Sequence, residues 1–152
     1  SGNRDNIQGE GFVGVGGLGF LIEGPLSGRS TYIASYRMSY LDIIADAINA
    51  SGGMPSYGDF QAKLEFKPDI YNTFSILIVN GGSLYDRDID GAIDVGESDY
   101  GKLKNNQNTV GANYKHIWGN RAYTNTSISA SIKKSDAHFL NIRSGESVFN
   151  II

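Results

Sequence analysis

The 152-residue sequence has no cysteine, which removes disulfides, thiolate zinc sites and cysteine nucleophiles from consideration. Proline is scarce at 3, so turns fall mainly to the 20 glycines, about twice the average share. No excess of either charge sign is present: 13 Lys and Arg stand against 16 Asp and Glu, a net −3. A dedicated nucleic-acid binder usually carries a basic surplus, and this chain lacks one. It also lacks any run of the ~18–20 apolar residues that a membrane-spanning helix needs. At the start there is no Met, no basic n-region and no apolar h-region, so the chain is expected to begin after a processed segment or partway through a longer protein.

What is present is period-two patterning. Phe60, Ala62, Leu64 and Phe66 alternate with Gln61, Lys63, Glu65 and Lys67. Successive strand side chains point to opposite faces, so each set shares one face. Tyr32, Ala34, Tyr36, Met38 and Tyr40 alternate in the same way with Ile33, Ser35, Arg37 and Ser39. From Ala122 to Lys133, small or apolar residues including Ile128, Ala130 and Ile132 oppose Asn125, Ser127, Ser129, Ser131 and Lys133. Val110, Ala112, Tyr114, His116 and Trp118 line one face of a further strand. Weaker candidates cover 9–15, 18–24, 73–80 and 139–143. The expectation is an all-β, antiparallel up-and-down meander of about eight strands. Leu41, Ile44, Ala45 and Ile48 fall at helical spacing, and two readings stand there: a short helix ended by Gly52-Gly53 and Pro55, or a strand end entering an irregular loop.

The connections alternate in length. Short turns are expected at 25–29, 68–72 and 119–121, and long loops at 41–59 and 81–107. In a meander the long loops then gather at one end, as in outer-membrane barrels. Strands of about 9–12 residues suit a tilted crossing. Aromatic residues near strand ends (Tyr32, Tyr40, Phe60, Phe66, Tyr71, Trp118, Tyr123) suit interfacial girdles. The polar face, with Ser, Thr, Asn and Gln beside Lys and Glu, suits a hydrated lumen. The chain is therefore expected to form part or all of a transmembrane β-barrel, a single segment over 1–152. A soluble sandwich with its apolar face in a core gives the same periodicity and stays open as the alternative.

Two stretches resemble a known family. Glu23-Gly24-Pro25-Leu26, followed by Tyr32-Ile33-Ala34-Ser35-Tyr36-Arg37-Met38-Ser39-Tyr40-Leu41-Asp42, is similar to the early barrel strands of TonB-dependent outer-membrane receptors. Pro55-Ser56-Tyr57-Gly58-Asp59-Phe60-Gln61-Ala62-Lys63-Leu64 resembles a loop descending into the next strand of such a barrel. Ser1-Gly2-Asn3-Arg4-Asp5 resembles the point where the plug of such a receptor ends and its barrel starts. The resemblance implies an early segment of a 22-stranded barrel in the bacterial outer membrane. It also implies lipid, the remaining barrel and the plug as partners, and extracellular loops that help capture a small-molecule, glycan or peptide substrate. No plug and no terminal aromatic are contained in these residues. The runner-up is a secreted or surface β-sandwich or small-barrel binding module stabilised by calcium. In a third form, the strands make an open curved sheet whose edges need partners.

The calcium expectation rests on Asp86-Arg87-Asp88-Ile89-Asp90-Gly91-Ala92-Ile93-Asp94-Val95-Gly96-Glu97, which fits D-x-D-x-D-G-x₅-E. Calcium takes six to eight oxygens at ~2.3–2.6 Å. Asp86, Asp88 and Asp90 would supply carboxylates, Ala92 a carbonyl, Asp94 a direct or water-borne ligand, and Glu97 a bidentate closure. The flanks do not read as EF-hand helices, so a helix-less calcium loop competes with a merely solvated acidic loop. Other features carry no site. Gly11 to Gly19 lacks the Lys-Ser/Thr of a phosphate loop and reads as hairpin glycines. His116 and His138 lack a third ligand. Asp42 and Asp46 read as solvated, and no nucleophile elbow or carboxylate pair marks an enzyme.

Overall fold

The computed structural model describes residues 2–41, 44, 55–94, 96–142 and 147–151. Eight strands form one sheet in sequence order: β1 (Gln8–Gly14), β2 (Gly17–Ser27), β3 (Ser30–Met38), β4 (Ser56–Phe66), β5 (Asn72–Arg87), β6 (Asp99–Ile117), β7 (Tyr123–Asn141) and β8 (Ser147–Ile151). A short helix, α1 (Ile89–Asp94), lies between β5 and β6. All seven pairings are antiparallel, and β1 and β8 are open edges, so the expected all-β meander is the observed fold and the sheet is not closed.

The hairpins explain the order. Between β2 and β3 the turn shrinks to Gly28-Arg29, because Pro25 and Leu26 belong to β2, where a register irregularity falls between Pro25 and Ser27. Asp69 builds the turn between β4 and β5, since its Oδ1 accepts from the backbone N–H of Tyr71 at 2.8 Å and of Asn72 at 2.7 Å. Such Asx bonding is what favours Asp in turns. Gly119 has φ of 82°, a left-handed conformation that suits glycine in the turn between β6 and β7.

The expected long loop over 81–107 is corrected. Only 88–98 lie between the strands, while 81–87 and 99–107 are paired residue by residue from Gly81↔Gln107 to Arg87↔Gly101. Period-two reading missed this stretch because its few apolar and aromatic residues, Leu84, Tyr85, Tyr100 and Leu103, do not alternate with polar ones. Backbone pairing and side-chain bonds sustain it instead: Asn105 Nδ2 donates to Ser83 Oγ at 3.4 Å, and Ser135 Oγ donates to Asn105 Oδ1 at 2.7 Å. The strand candidates at 122–133 and 139–143 are likewise one strand, β7, and the eighth strand is 147–151. Of the helically spaced run, Ala45 and Ile48 lie outside the described residues, as do Asp42 and Asp46. The rest of the loop expected at 41–59 is shortened by β4, which starts at Ser56.

A line of paired residues from Gln8 passes Glu23, Ile33, Lys63, Leu77 and Gly111 to Ser129, so these positions share one level across seven strands.

Candidate membrane-contacting face and acidic loop

Register decides which side chains share a face. Directly paired residues in an antiparallel sheet lie on the same side. Tyr36 pairs Phe60, Tyr32 pairs Leu64, Leu64 pairs Ile76, Ile76 pairs Ala112, and Ala112 pairs Ile128. The four alternating apolar sets of the sequence thus fall on one side of one sheet. Leu18, Phe20 and Ile22 of β2 join them.

This apolar face is open. Leu64 is 47% exposed, Phe66 46% and Ile128 74%. The buried hydrophobic residues among those described are only Ala92 and Ala137. The polar face is the more enclosed of the two. The Glu65 side chain, between Leu64 and Phe66 in sequence, is only 10% exposed. It pairs with Lys67 at 3.1 Å, and with Lys63 and Arg4 at 3.7 Å each. On the same face Arg37 grips Asp59 through Nε and Nη2 at 3.0–3.2 Å, and Gln61 adds a bond at 3.2 Å. An ordinary soluble sheet covers its apolar face and solvates its polar one. Here the two exposures are exchanged.

The apolar band has borders, and the strands run on past them. On β5 it ends between Ile78 and Asn80, and on β6 between Val110 and Asn108. These positions are matched in register, and the Asn80 and Asn108 side chains are hydrogen-bonded to each other. On β7 Ile132 gives way to Lys134. At the short-turn end, Phe66, Phe74 and Tyr114 form one registered row, with the Phe74 and Tyr114 rings stacked at 4.6 Å. His116 and Trp118 extend it, their rings edge-on at 4.3 Å. At the other end Phe20, Tyr36 and Phe60 form a second row. Six residues separate Phe60 from Phe66, ~20 Å along the strand. Of the expected girdle, Tyr123 instead faces the polar side, where Lys115 Nζ lies 5.0 Å from its ring centroid.

At the short-turn end a polar chain ties the border to the turn. Asn72 Nδ2 donates to both oxygens of Asp69, at 3.0 and 2.8 Å. Its Oδ1 therefore faces the other way, accepting from the Tyr114 hydroxyl at 2.7 Å and lying 2.7 Å from His116 Nδ1. The Asn72 amide, aided by the backbone N–H groups of Tyr71 and Asn72, holds the Asp69 carboxyl below its ordinary pKa. Sequence patterning gives no hint of this connection, since it joins residues 44 apart.

The acidic loop holds the short helix α1. Asp86 is in β5 and accepts from Lys102 Nζ at 2.7 Å. Asp88 caps α1, its Oδ1 taking the Gly91 N–H at 2.7 Å. Asp90 lies in the first helical turn, and Asp94 is the last residue of α1. Ala92 is buried, and its carbonyl accepts the Glu97 N–H at 2.9 Å. Gly91 sits inside the helix, and the left-handed glycine of the loop is Gly96, with φ of 75°. The cap and carbonyl that a calcium loop would use are thus engaged in holding a helix. No group of three or more His, Asp or Glu that could hold a metal is found among the described residues.

No family model, curated protein or solved structure matches the chain.

Proposed function

We propose that the chain is a segment of an outer-membrane β-barrel whose apolar face meets lipid. The observation that carries this reading is the exchanged exposure of the two faces within a band bordered at both ends. Leu64, Phe66, Ile76 and Ile128 are open while Glu65 between them is enclosed. Apolar-out, polar-in alternation with flanking aromatic rows is the pattern of transmembrane barrels, whose band is ~25 Å tall. Together with the resemblance of 23–42 and 55–64 to TonB-dependent receptors, this favours a role in nutrient uptake. The rest of the barrel and its plug would then be partners, and the loops at the 39–55 and 88–98 end would face outward and help capture substrate.

The test is the folding medium. In detergent micelles the purified chain should give a strand-rich circular dichroism spectrum and unfold cooperatively in urea. In plain buffer it should aggregate. A monomer that folds cooperatively without detergent sinks the proposal and leaves the soluble binding module.

In this reading calcium would be held at the acidic loop, with Asp86, Asp88, Asp90, Asp94 and Glu97 supplying carboxylates and Ala92 its carbonyl. Calorimetry of the parent against Asp86→Ala and Glu97→Ala decides it, because equal calcium heats in all three remove the ion from the loop.

A further inference from the structure

At the short-turn end, on the polar face, a cavity of about 580 Å³ gathers Arg4, Arg29, Lys67 and Lys115 against a single carboxylate, Asp69. Three elements bring them together. Arg29 ends the turn between β2 and β3, and its carbonyl accepts the Lys67 N–H at 2.8 Å, which sets the two residues side by side. Lys115 pairs with Thr73 across β5 and β6, and Thr73 adds a hydroxyl to the lining. Arg4 comes from the segment before β1 and reaches Glu65 at 3.7 Å.

The charges in this cavity are not balanced from within. Both oxygens of Asp69 are taken by the Asn72 side chain, and one also by two backbone N–H groups. Glu65, beside the cavity, is shared among Arg4, Lys63 and Lys67. Neither Arg29 nor Lys115 makes an ion pair among the described residues, and Lys115 Nζ lies 5.0 Å from the Tyr123 ring centroid. Like charges held this close repel, and an anion carrying more than one charge relieves that repulsion. Arginine supplies a planar fork, and lysine a mobile point charge, both suited to phosphoryl oxygens. The volume suits a small ligand.

We infer that this cavity is a binding site for a small, multiply charged anion of the phosphate class, held by Arg29 and Lys115 with Arg4 and Lys67 around it. The site stands on the polar face and does not depend on what covers the apolar one. Because it opens on the face opposite the apolar band, the anion is taken as free in solution and not as a lipid headgroup.

Pyrophosphate is the probe, titrated calorimetrically into the chain in whichever medium keeps it folded. The parent should show saturable one-to-one binding. Each of Arg29→Ala and Lys115→Ala should weaken it about tenfold, as loss of a charge-assisted hydrogen bond does. Arg29→Lys with Lys115→Arg should restore most of the affinity, and Lys134→Ala, on the other face, should leave it unchanged. Should the alanine variants fail to fold, amide resonances of Thr73 and Ile117 in the parent must shift with pyrophosphate. No saturable binding, no shift, or equal weakening by Lys134→Ala overturns the site. Displacement of pyrophosphate by an anionic lysophospholipid, but not by a zwitterionic one, overturns the free anion. A chain that folds only in micelles yet ignores pyrophosphate sinks this site alone. One that binds pyrophosphate after folding in plain buffer sinks the lipid reading alone.

Discussion

Leu64 and Glu65 are neighbours in the chain and opposites in environment. Leu64 points to the open apolar face, and Glu65 to a face where three cations surround it. Burial in water rewards the reverse arrangement, at about 25 cal/mol per Å² of apolar surface. The proposed contact with lipid would remove that cost from the open apolar face.

The sharpest test of that contrast uses adjacent residues of β7. Ile128→Arg places a charge within the apolar band and should cost about 2–4 kcal/mol in lipid vesicles. Ser129→Arg, one residue on and facing the polar side, should stay within about 0.5 kcal/mol. Urea unfolding in vesicles measures both, and equal losses would break the comparison. Next in size is the aromatic border. Phe74→Leu should remove the stacking on Tyr114, about 0.5–1.5 kcal/mol beyond its area, and should blue-shift the emission of Trp118 little or not at all.

On the polar face the Arg37–Asp59 pair is bidentate, but the Arg37 side chain is 54% exposed. A double-mutant cycle with alanine at both positions should give a coupling of about 0.5–1 kcal/mol, falling with added salt. A larger, salt-insensitive value would mean that the polar face is more deeply enclosed than the open sheet shows. The smallest effect belongs to the turn between β4 and β5. Asp69 has its pKa lowered by the Asn72 amide. A carboxyl depressed on folding contributes fully above its unfolded pKa, near 3.8, and loses that contribution as pH falls through the lower folded value. Unfolding midpoints from pH 5 to 2 should therefore fall more steeply for the parent than for Asp69→Asn.

Much of this was legible in advance, and the misses have one cause. Phe60 to Phe66 and Val110 to Trp118 were readable because apolar and polar residues alternate without interruption. Residues 99–107, Asp-Tyr-Gly-Lys-Leu-Lys-Asn-Asn-Gln, were not, because Tyr100 and Leu103 among polar residues give no alternation and read as a loop. The six acidic-loop positions were read from residue identity and spacing. The structure gives Asp86 to Lys102 and Asp88 to the helix cap, contacts that spacing along the chain does not encode. The basic cavity was missed for a related reason, since Arg4, Arg29, Lys67 and Lys115 are scattered over 112 positions and meet only where three elements end together.

The sequence by itself determined the strands and, within each, which residues share a side, because side-chain alternation is a local property of extended backbone. Only the tertiary structure decided that all four apolar sets lie on the same side of a single sheet. That is set by pairing register, and a one-residue slip at any hairpin would have sent half of them to the other face.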